Sequence, residues 1–400
     1  MRLTSFLKSG HWPSLLLSFL YFDVSFMIWL LLGVLGVHVA GELGLDAGRK
    51  GLLVALPILG GSIVRIPMGI LVDRIGAKRS GILGQLVVLI PLAWGWLGAG
   101  SIGQVTALAL LLGVAGGSFA VALPLAGRWY PPEHQGLAMG IAGAGNSGTV
   151  LTALFAPRLA EVVGWRGVFG WALVPAALTL VLFVLFASEA PGRAAPRPLR
   201  AYLGVWKKRD LTRLCALYAF TFGGFVGLAS FLVILFHDQF GMSKVTAGSW
   251  AAVCVLAGSV LRPVGGLLAD RFGGQRVLAA VIFLASLTLG VIALRPPAGP
   301  TIALLFATMG CLGLGNGSVF QLVPQRFHDD LGAVTGTVGA VGGLGGFFVP
   351  SVLGILREVT GSHAAGFFFV SLAGAYALTL LAYQSERWRR APEAIEASGG

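Results

Sequence analysis

The sequence predicts an all-α integral membrane protein of twelve transmembrane helices, arranged as two pseudo-symmetric six-helix bundles. Three observations predict it: the composition, a series of long apolar runs, and a motif that occurs twice. Hydrophobic residues make up 56% of the 400 and charged residues only 11%, whereas a soluble domain is about 25% charged. Glycine reaches 60 residues, about twice ordinary usage. Small residues let transmembrane helices approach closely. The apolar runs are continuous rather than alternating, which argues against a transmembrane β-barrel.

A helix needs about 20 apolar residues to cross a bilayer. Runs of that length or more fall at 13–40, 48–72, 79–98, 103–128, 136–163, 165–187, 211–236, 244–270, 276–294, 301–326, 332–356 and 364–384. The longer ones are expected to tilt or bend. No signal-peptide cleavage pattern precedes the first run, which simply begins the series.

Basic residues set the expected orientation. With both termini on one side, that side holds Arg2, Lys8, Arg74, Lys78, Arg79, Arg128, the basic cluster of 193–213, Arg271, Arg276, Arg326, Arg387, Arg389 and Arg390. The other side holds Arg49, Lys50, Arg158, Arg166, Lys244, Arg295 and Arg357. This excess predicts cytoplasmic termini in a multi-pass protein of the cell inner (cytoplasmic) membrane. It also accounts for the net charge of +12 without a nucleic-acid partner. Residues 188–210 change character, with prolines and arginines followed by Leu199, Tyr202, Leu203 and Trp206. They read as a cytoplasmic linker ending in a short helix at the lipid surface. The organisation expected is a bundle over 1–187, the linker over 188–210, and a second bundle with a short tail over 211–400.

The two halves repeat. Arg65-Ile-Pro-Met-Gly69-Ile-Leu-Val-Asp73-Arg74-Ile-Gly76-Ala-Lys-Arg79 aligns with Arg262-Pro-Val-Gly-Gly266-Leu-Leu-Ala-Asp270-Arg271-Phe-Gly273-Gly-Gln-Arg276 at one offset, 262 − 65 = 197. Duplication of a six-span unit is the mark of an alternating-access transporter.

The same alignment pairs two intramembrane arginines. Arg65 lies roughly 10 Å along its helix from the cytoplasmic end, and Arg262 lies at the matching depth of its own span. A charge at such depth costs from about 3 to over 10 kcal/mol, and a guanidinium does not shed its proton. A pseudo-twofold axis brings both arginines toward one central cavity. Deep acidic residues are scarce, with Asp23 the main one, so two fixed positive charges call for an anion. Snorkelling to the surface is the ordinary alternative for each arginine. The planar guanidinium fork suits a planar oxyanion.

Gly-x-x-x-Asp-Arg-x-Gly-x-Lys/Arg, present after spans 2 and 8, resembles the loop signature of the major facilitator superfamily. The resemblance implies a cytoplasmic gate built from Gly69, Asp73, Arg74 and Arg79 and from Gly266, Asp270, Arg271 and Arg276. In that gate the two glycines allow close helix contact, and the two aspartates can pair with cations across the bundle; loop charges that only set topology are the alternative. Gly140-Ile-Ala-Gly143-Ala-Gly145-Asn146-Ser-Gly148 in span 5 is similar to the glycine-rich signature of the nitrate/nitrite porter family. A companion run over 336–350 occupies the equivalent place in span 11, and Gly315-Asn-Gly-Ser318 followed by Phe320-Gln321 is also similar to that family. By this resemblance Arg65 and Arg262 hold nitrate or nitrite, with Asn146, Gly143, Tyr218, Phe119, Phe320 and Phe26 around it. Ordinary packing is the alternative for each phenylalanine, and helix–helix hydrogen bonding for Asn146. The glycine runs imply helices that slide against partners such as spans 8 and 2, or static close packing.

Asp23, near mid-depth of span 1, is the candidate for proton coupling, with pairing to a helix-1 neighbour or a basic side chain the alternative. Uptake of an anion against the membrane potential costs about 2.3 kcal/mol per charge per 100 mV. Proton-coupled nitrate uptake is the first expectation. Nitrate/nitrite exchange and carriage of another small anion are the alternatives. No enzyme activity, cofactor or metal is expected. His11, His38, His134, His237, His328 and His363 lie mostly at loops or span ends without ligand spacing. Cys215, Cys254 and Cys311 fall inside spans as small apolar residues. The expected partners are the anion, protons where coupling requires them, and lipid. A monomer suffices for this fold.

Overall fold

A computed structural model describes residues 6, 9–191, 204, 209–327 and 331–397. Among these, eleven continuous helical segments are long and apolar enough to cross a membrane. One of them, Leu137–Phe186, has 50 residues. Straight, it would run about 75 Å, more than twice a hydrocarbon core of about 30 Å.

That segment folds back on itself. Gly164 has φ 71° and ψ 165°, a conformation that is essentially glycine's alone. At this corner Trp165 Nε1 donates to Glu42 Oε2 (2.6 Å), and Arg166 Nη2 lies 2.7 Å from Glu42 Oε1. Arg166 Nε also donates to the Ala99 carbonyl (3.2 Å). Glu42 belongs to the last turn of span 1, and Ala99 to the turn after span 3. At the other end the Ser188 carbonyl accepts from Ser14 Oγ (3.1 Å) and Trp129 Nε1 (2.9 Å). The segment therefore goes out and returns, as spans 5 and 6, and the twelve spans read from the sequence are all present. The face carrying Trp12, Arg128 and Ser188 is called the near face below, and the face carrying Glu42 and Gly164 the far face.

The remaining spans are Trp12–Leu43, Ala47–Ile75, Ala77–Leu97 and Ile102–Gly127 in the first half. In the second half they are Asp210–Phe240, Lys244–Phe272, Gly274–Ile292, Ala298–Val323, Val334–Thr360 and Ala364–Tyr383. Several are interrupted. Span 1 breaks at Leu30 and Leu35, and span 4 at Gly117–Ser118. Span 5 tightens to a 3₁₀ turn over Ala144–Ser147. The tightening lies where span 5 presses on span 1. A methyl group at Gly148 would strike the Asp23 carbonyl, and one at Gly145 would lie 2.8 Å from the Phe19 carbonyl oxygen. The glycine run of span 5 thus packs closely on span 1, and its 3₁₀ turn also lies beside span 8. Spans 5 and 8 also meet further along, where a methyl group at Gly248 would lie 2.6 Å from the Ala153 carbonyl oxygen. Span 11 does meet span 2, with Gly343 against Ser62 and Gly354 against Gly51.

The far face is closed by charge. Asp238 Oδ2 of span 7 takes Lys50 Nζ at 2.8 Å and Arg357 Nη1 at 2.7 Å. The Gly48 amide donates to Glu358 Oε2 (2.9 Å). Lys50 and Gly48 belong to the first half; Asp238, Arg357 and Glu358 belong to the second. On the outer surface Phe155, Trp171, Leu178, Phe283 and Leu372 are exposed. So many large exposed apolar side chains suit lipid rather than water. The surface helix expected around Leu199, Tyr202, Leu203 and Trp206 lies outside the described residues.

Candidate functional site

A cavity of about 1230 Å³ lies between the halves and reaches the near face. Spans 1, 2, 4, 5, 8, 10 and 11 line it. Asp73, Arg128 and Asp270 stand at its mouth, and Arg65, Arg262, Phe119, Phe320 and Asn316 line its deeper part.

Arg65 and Arg262 converge there. Arg65 is 1% exposed and Arg262 8%. Arg65 Nε donates to the Gly116 carbonyl of span 4 (3.0 Å), and Nη1 to the Gly339 carbonyl of span 11 (2.5 Å). Its guanidinium carbon sits 4.8 Å from the Phe222 ring centre, 5.1 Å from Trp29 and 5.5 Å from Phe119. Arg262 Nη2 lies 3.5 Å from the Tyr218 hydroxyl, and its guanidinium carbon lies 5.9 Å from the same Phe119 ring. Both cations therefore border one phenyl group. Neither arginine snorkels to the surface. Aromatic faces stabilise a buried cation by about 0.5–2 kcal/mol each, which offsets part of the burial cost. Each guanidinium keeps one N–H group buried with no partner among the described residues: Nη2 of Arg65 and Nη1 of Arg262. A buried unsatisfied donor on a charged group costs more than about 1–3 kcal/mol. The arrangement is incomplete without an acceptor, and an anion supplies charge and acceptor atoms together.

The aromatic wall is continuous. Phe320 lies 5.5 Å from Phe119 and 5.0 Å from Tyr218, edge-on to the latter, and Tyr218 stacks on Phe222 at 4.9 Å. Tyr218 is fully buried and reaches the site through its hydroxyl at Arg262. Gly143 lines the cavity.

Membership follows from comparison. The model of the Major Facilitator Superfamily matches residues 17–350. The chain belongs to the major facilitator superfamily. That makes it a membrane transporter and not an enzyme. Its relatives in this superfamily include the nitrite extrusion protein of Bacillus subtilis (strain 168), 34% identical over 91% of this chain and 92% of that protein. The probable nitrate/nitrite transporter NarK2 of Mycobacterium tuberculosis is 36% identical over 94% of this chain and 96% of its own length. The probable nitrate/nitrite antiporter NarK1 of Thermus thermophilus is 35% identical over 90% and 88%. Among solved structures, a bacterial homolog of the human lysosomal transporter Spinster, inward-facing and occupied, superposes with a TM-score of 0.74 at 18% identity. It covers 93% of this chain and 96% of its own. The human organic anion transporter MFSD10 gives 0.72 at 19% identity, covering 92% and 99%. These two likenesses concern the fold alone.

Several expected site residues lie elsewhere. Asn146 is fully buried and is not among the residues lining the cavity. Its carboxamide faces the carbonyls of Gly143 and Ala144 at 3.3 and 3.2 Å, and with the amide nitrogen turned to that side it donates to both within its own 3₁₀ turn. Phe26 packs between Phe22 (4.3 Å) and Trp29 (4.9 Å), one layer behind the wall. Asp23 accepts from Ser147 Oγ (2.6 Å) at the interface of spans 1 and 5, also off the cavity lining.

The superfamily loop residues are likewise arranged differently from expectation. Asp73 pairs with Arg128 Nη2 (3.2 Å), a neighbour in its own half. Arg74, Arg79, Asp270, Arg271 and Arg276 are exposed. A methyl group at Gly69 would meet open space, and one at Gly266 would only just reach the Gly317 carbonyl oxygen, at 4.0 Å. The reason is that the near face is open, so these helix ends stand apart around the cavity mouth. The close helix contact falls one residue earlier, at Gly265, where a methyl group would strike Leu314. Asn316 is a polar lining residue to which the sequence had assigned no role, as are Gln135, Gln321, Thr335 and Thr337. Its signal was the Gly-Asn-Gly-Ser run, where a polar residue stands between two glycines in an apolar span.

Proposed function

We propose that this protein carries nitrate and nitrite across the cytoplasmic membrane by alternating access, binding the anion between Arg65 and Arg262. The single observation that carries this reading is the pair of buried, partnerless guanidinium N–H groups in one aromatic-walled cavity. Apolar walls favour a weakly hydrated monovalent anion over phosphate or sulfate, whose desolvation costs far more. The names of the full-length relatives narrow the anion to nitrate or nitrite. The excess of Lys and Arg supports a cytoplasmic near face, with the two six-span halves rocking about the site.

The coupling reading that the geometry supports best is exchange. The acidic residues that line the cavity, Asp73 and Asp270, stand at its mouth, and Asp23 is engaged by Ser147 outside it. An empty carrier would close around two uncompensated cations, which is costly; a loaded one would not. Exchange therefore lets the protein reorient with anion bound in both directions.

The test is nitrate binding to the purified protein by calorimetry, wild type against Arg65→Lys and Arg262→Lys. Lysine keeps the charge and loses the fork, so affinity should fall by about tenfold or more for each. Unchanged affinity in both variants would overturn the site. Labelled nitrate uptake into proteoliposomes then separates the couplings. Exchange predicts uptake that depends on internal nitrite and survives Asp23→Asn. Uptake driven by a pH gradient alone and abolished by Asp23→Asn would return proton coupling.

A further inference from the structure

Nitrate has three oxygens and nitrite two, and the two arginines leave one amino nitrogen each without a partner among the described residues, Nη2 of Arg65 and Nη1 of Arg262. Asn316 stands in the place of a third donor. It lies in the helix Ala298–Arg326, is shielded by its surroundings to 0% exposure, and still lines the deep part of the cavity. Neither its amide nitrogen nor its amide oxygen has a partner among the described residues. Buried carboxamides are nearly always hydrogen-bonded, and an unpaired one calls for an explanation.

The flanking glycines show why this side chain is held where it is. A methyl group on Gly317 would strike the carbonyl oxygen of Arg262, so span 10 is pressed against span 8 at the level of the arginine. A methyl group on Gly315 would lie 2.6 Å from Thr221 Cγ2, in span 7 and one turn beyond Tyr218. Asn316 is thus held between the levels of Arg262 and Thr221. Phe320 follows one turn later on the same helix face, edge-on to Tyr218 and beside Phe119. The contrast with Asn146, whose amide is satisfied within its own turn, is direct.

We infer that Asn316 is a specificity-determining residue whose amide N–H donates to the third oxygen of nitrate and so favours nitrate over nitrite. This rests on the reading of Arg65 and Arg262 as the anion site. A site built to hydrogen-bond one more polar atom penalises the ligand that lacks it, because a buried group is then left unpaired. The amide oxygen remains for water entering the open cavity.

The experiment measures nitrate and nitrite dissociation constants of the purified protein by calorimetry, with a thermal melt of each sample, for wild type, Asn316→Leu and Asn316→Ala. In both variants nitrate affinity should drop by roughly tenfold or more, the worth of one hydrogen bond to a charged partner. Nitrite affinity should change by less than about threefold. The melting temperature should hold or rise, since no intramolecular hydrogen bond is removed. Equal weakening of both anions, no weakening of either, or a large loss of melting temperature in both variants would overturn the inference while leaving the arginine site standing. Failure of wild type to bind either anion would overturn the site itself, and this inference with it.

Discussion

Asp238→Asn removes the charge that holds the far face shut. In the wild type one carboxylate oxygen takes two cations, at 2.7 and 2.8 Å. The side chains of Asp238, Lys50 and Arg357 are 11%, 15% and 26% exposed, so solvent screens the cluster little. Removing one partner of a buried charge cluster costs about 3–5 kcal/mol. Asparagine keeps an acceptor oxygen, so the lower figure applies, about 3 kcal/mol, and Lys50 is left beside Arg357 with no anion between them. Lys50 is in the first half and Asp238 and Arg357 are in the second, so the Lys50–Asp238 share of this loss, up to about 3 kcal/mol, falls on the state with the far face closed. A bias of that size changes the ratio of far-closed to far-open protein by up to a factor of about 100. Spin labels at Val162 and Val359, which are 82% and 78% exposed at the far ends of the two halves, report the separation by double electron–electron resonance. The expected result is a shift of the main population to longer distance in Asp238→Asn. Arg357→Ala should shift it less, because Lys50 stays paired. A distance distribution unchanged in Asp238→Asn would refute the reasoning.

Three further outcomes follow from packing and burial. Gly148→Ala should lower detergent-solubilised stability by about 1–3 kcal/mol, as overpacking does, because the added methyl strikes the Asp23 carbonyl; Gly69→Ala, which meets open space, should melt like wild type. Gly164→Ala should cost about 1–3 kcal/mol through backbone strain at the corner between spans 5 and 6, measured by thermal melting. His363, in the turn before the last span, is held down to about 4 chiefly by burial, with Arg357 adding to it. Its folded-state value lies below the unfolded 6.5, so protonation is penalised, and stability should fall by roughly 3 kcal/mol as pH drops from about 6.5 to 4. His363→Leu should flatten that part of the melting-temperature profile.

Much of this architecture was legible in the chain because lipid imposes a simple rule: every crossing needs a continuous apolar run. Even the run from 137 to 186, unbroken as helix, divided correctly at Gly164. The arginines were legible for the opposite reason, as costly exceptions to the rule, and the offset of 197 tied them into one pair. What the chain did not reveal depends on which state is populated and on contacts between distant positions. Gly69 and Asp73 were expected in a cytoplasmic gate that forms and breaks during transport, and the near face is open. Lys50, Asp238 and Arg357 were visible only as charges at span ends; nothing in their spacing announces that three helices bring them to one oxygen atom. Asn146 and Asn316 each sit beside glycines in an apolar helix, and only the folded chain distinguishes the one that satisfies its own turn from the one left facing the cavity.

Arg65 donates to Gly116 in its own half and to Gly339 in the other, while its Nη2 amino group has no partner among the described residues. One guanidinium is therefore both a clasp for the cargo and a strut between the two moving bodies. Tilting the halves breaks the strut, and filling the site alters what the strut is worth. Affinity and resting orientation are then not independent traits in this carrier, because a change selected for one acts on the same atoms as the other. A planar anion bulky enough to hold Arg65 without fitting under Phe119 would act as a wedge, arresting the protein with its near face open.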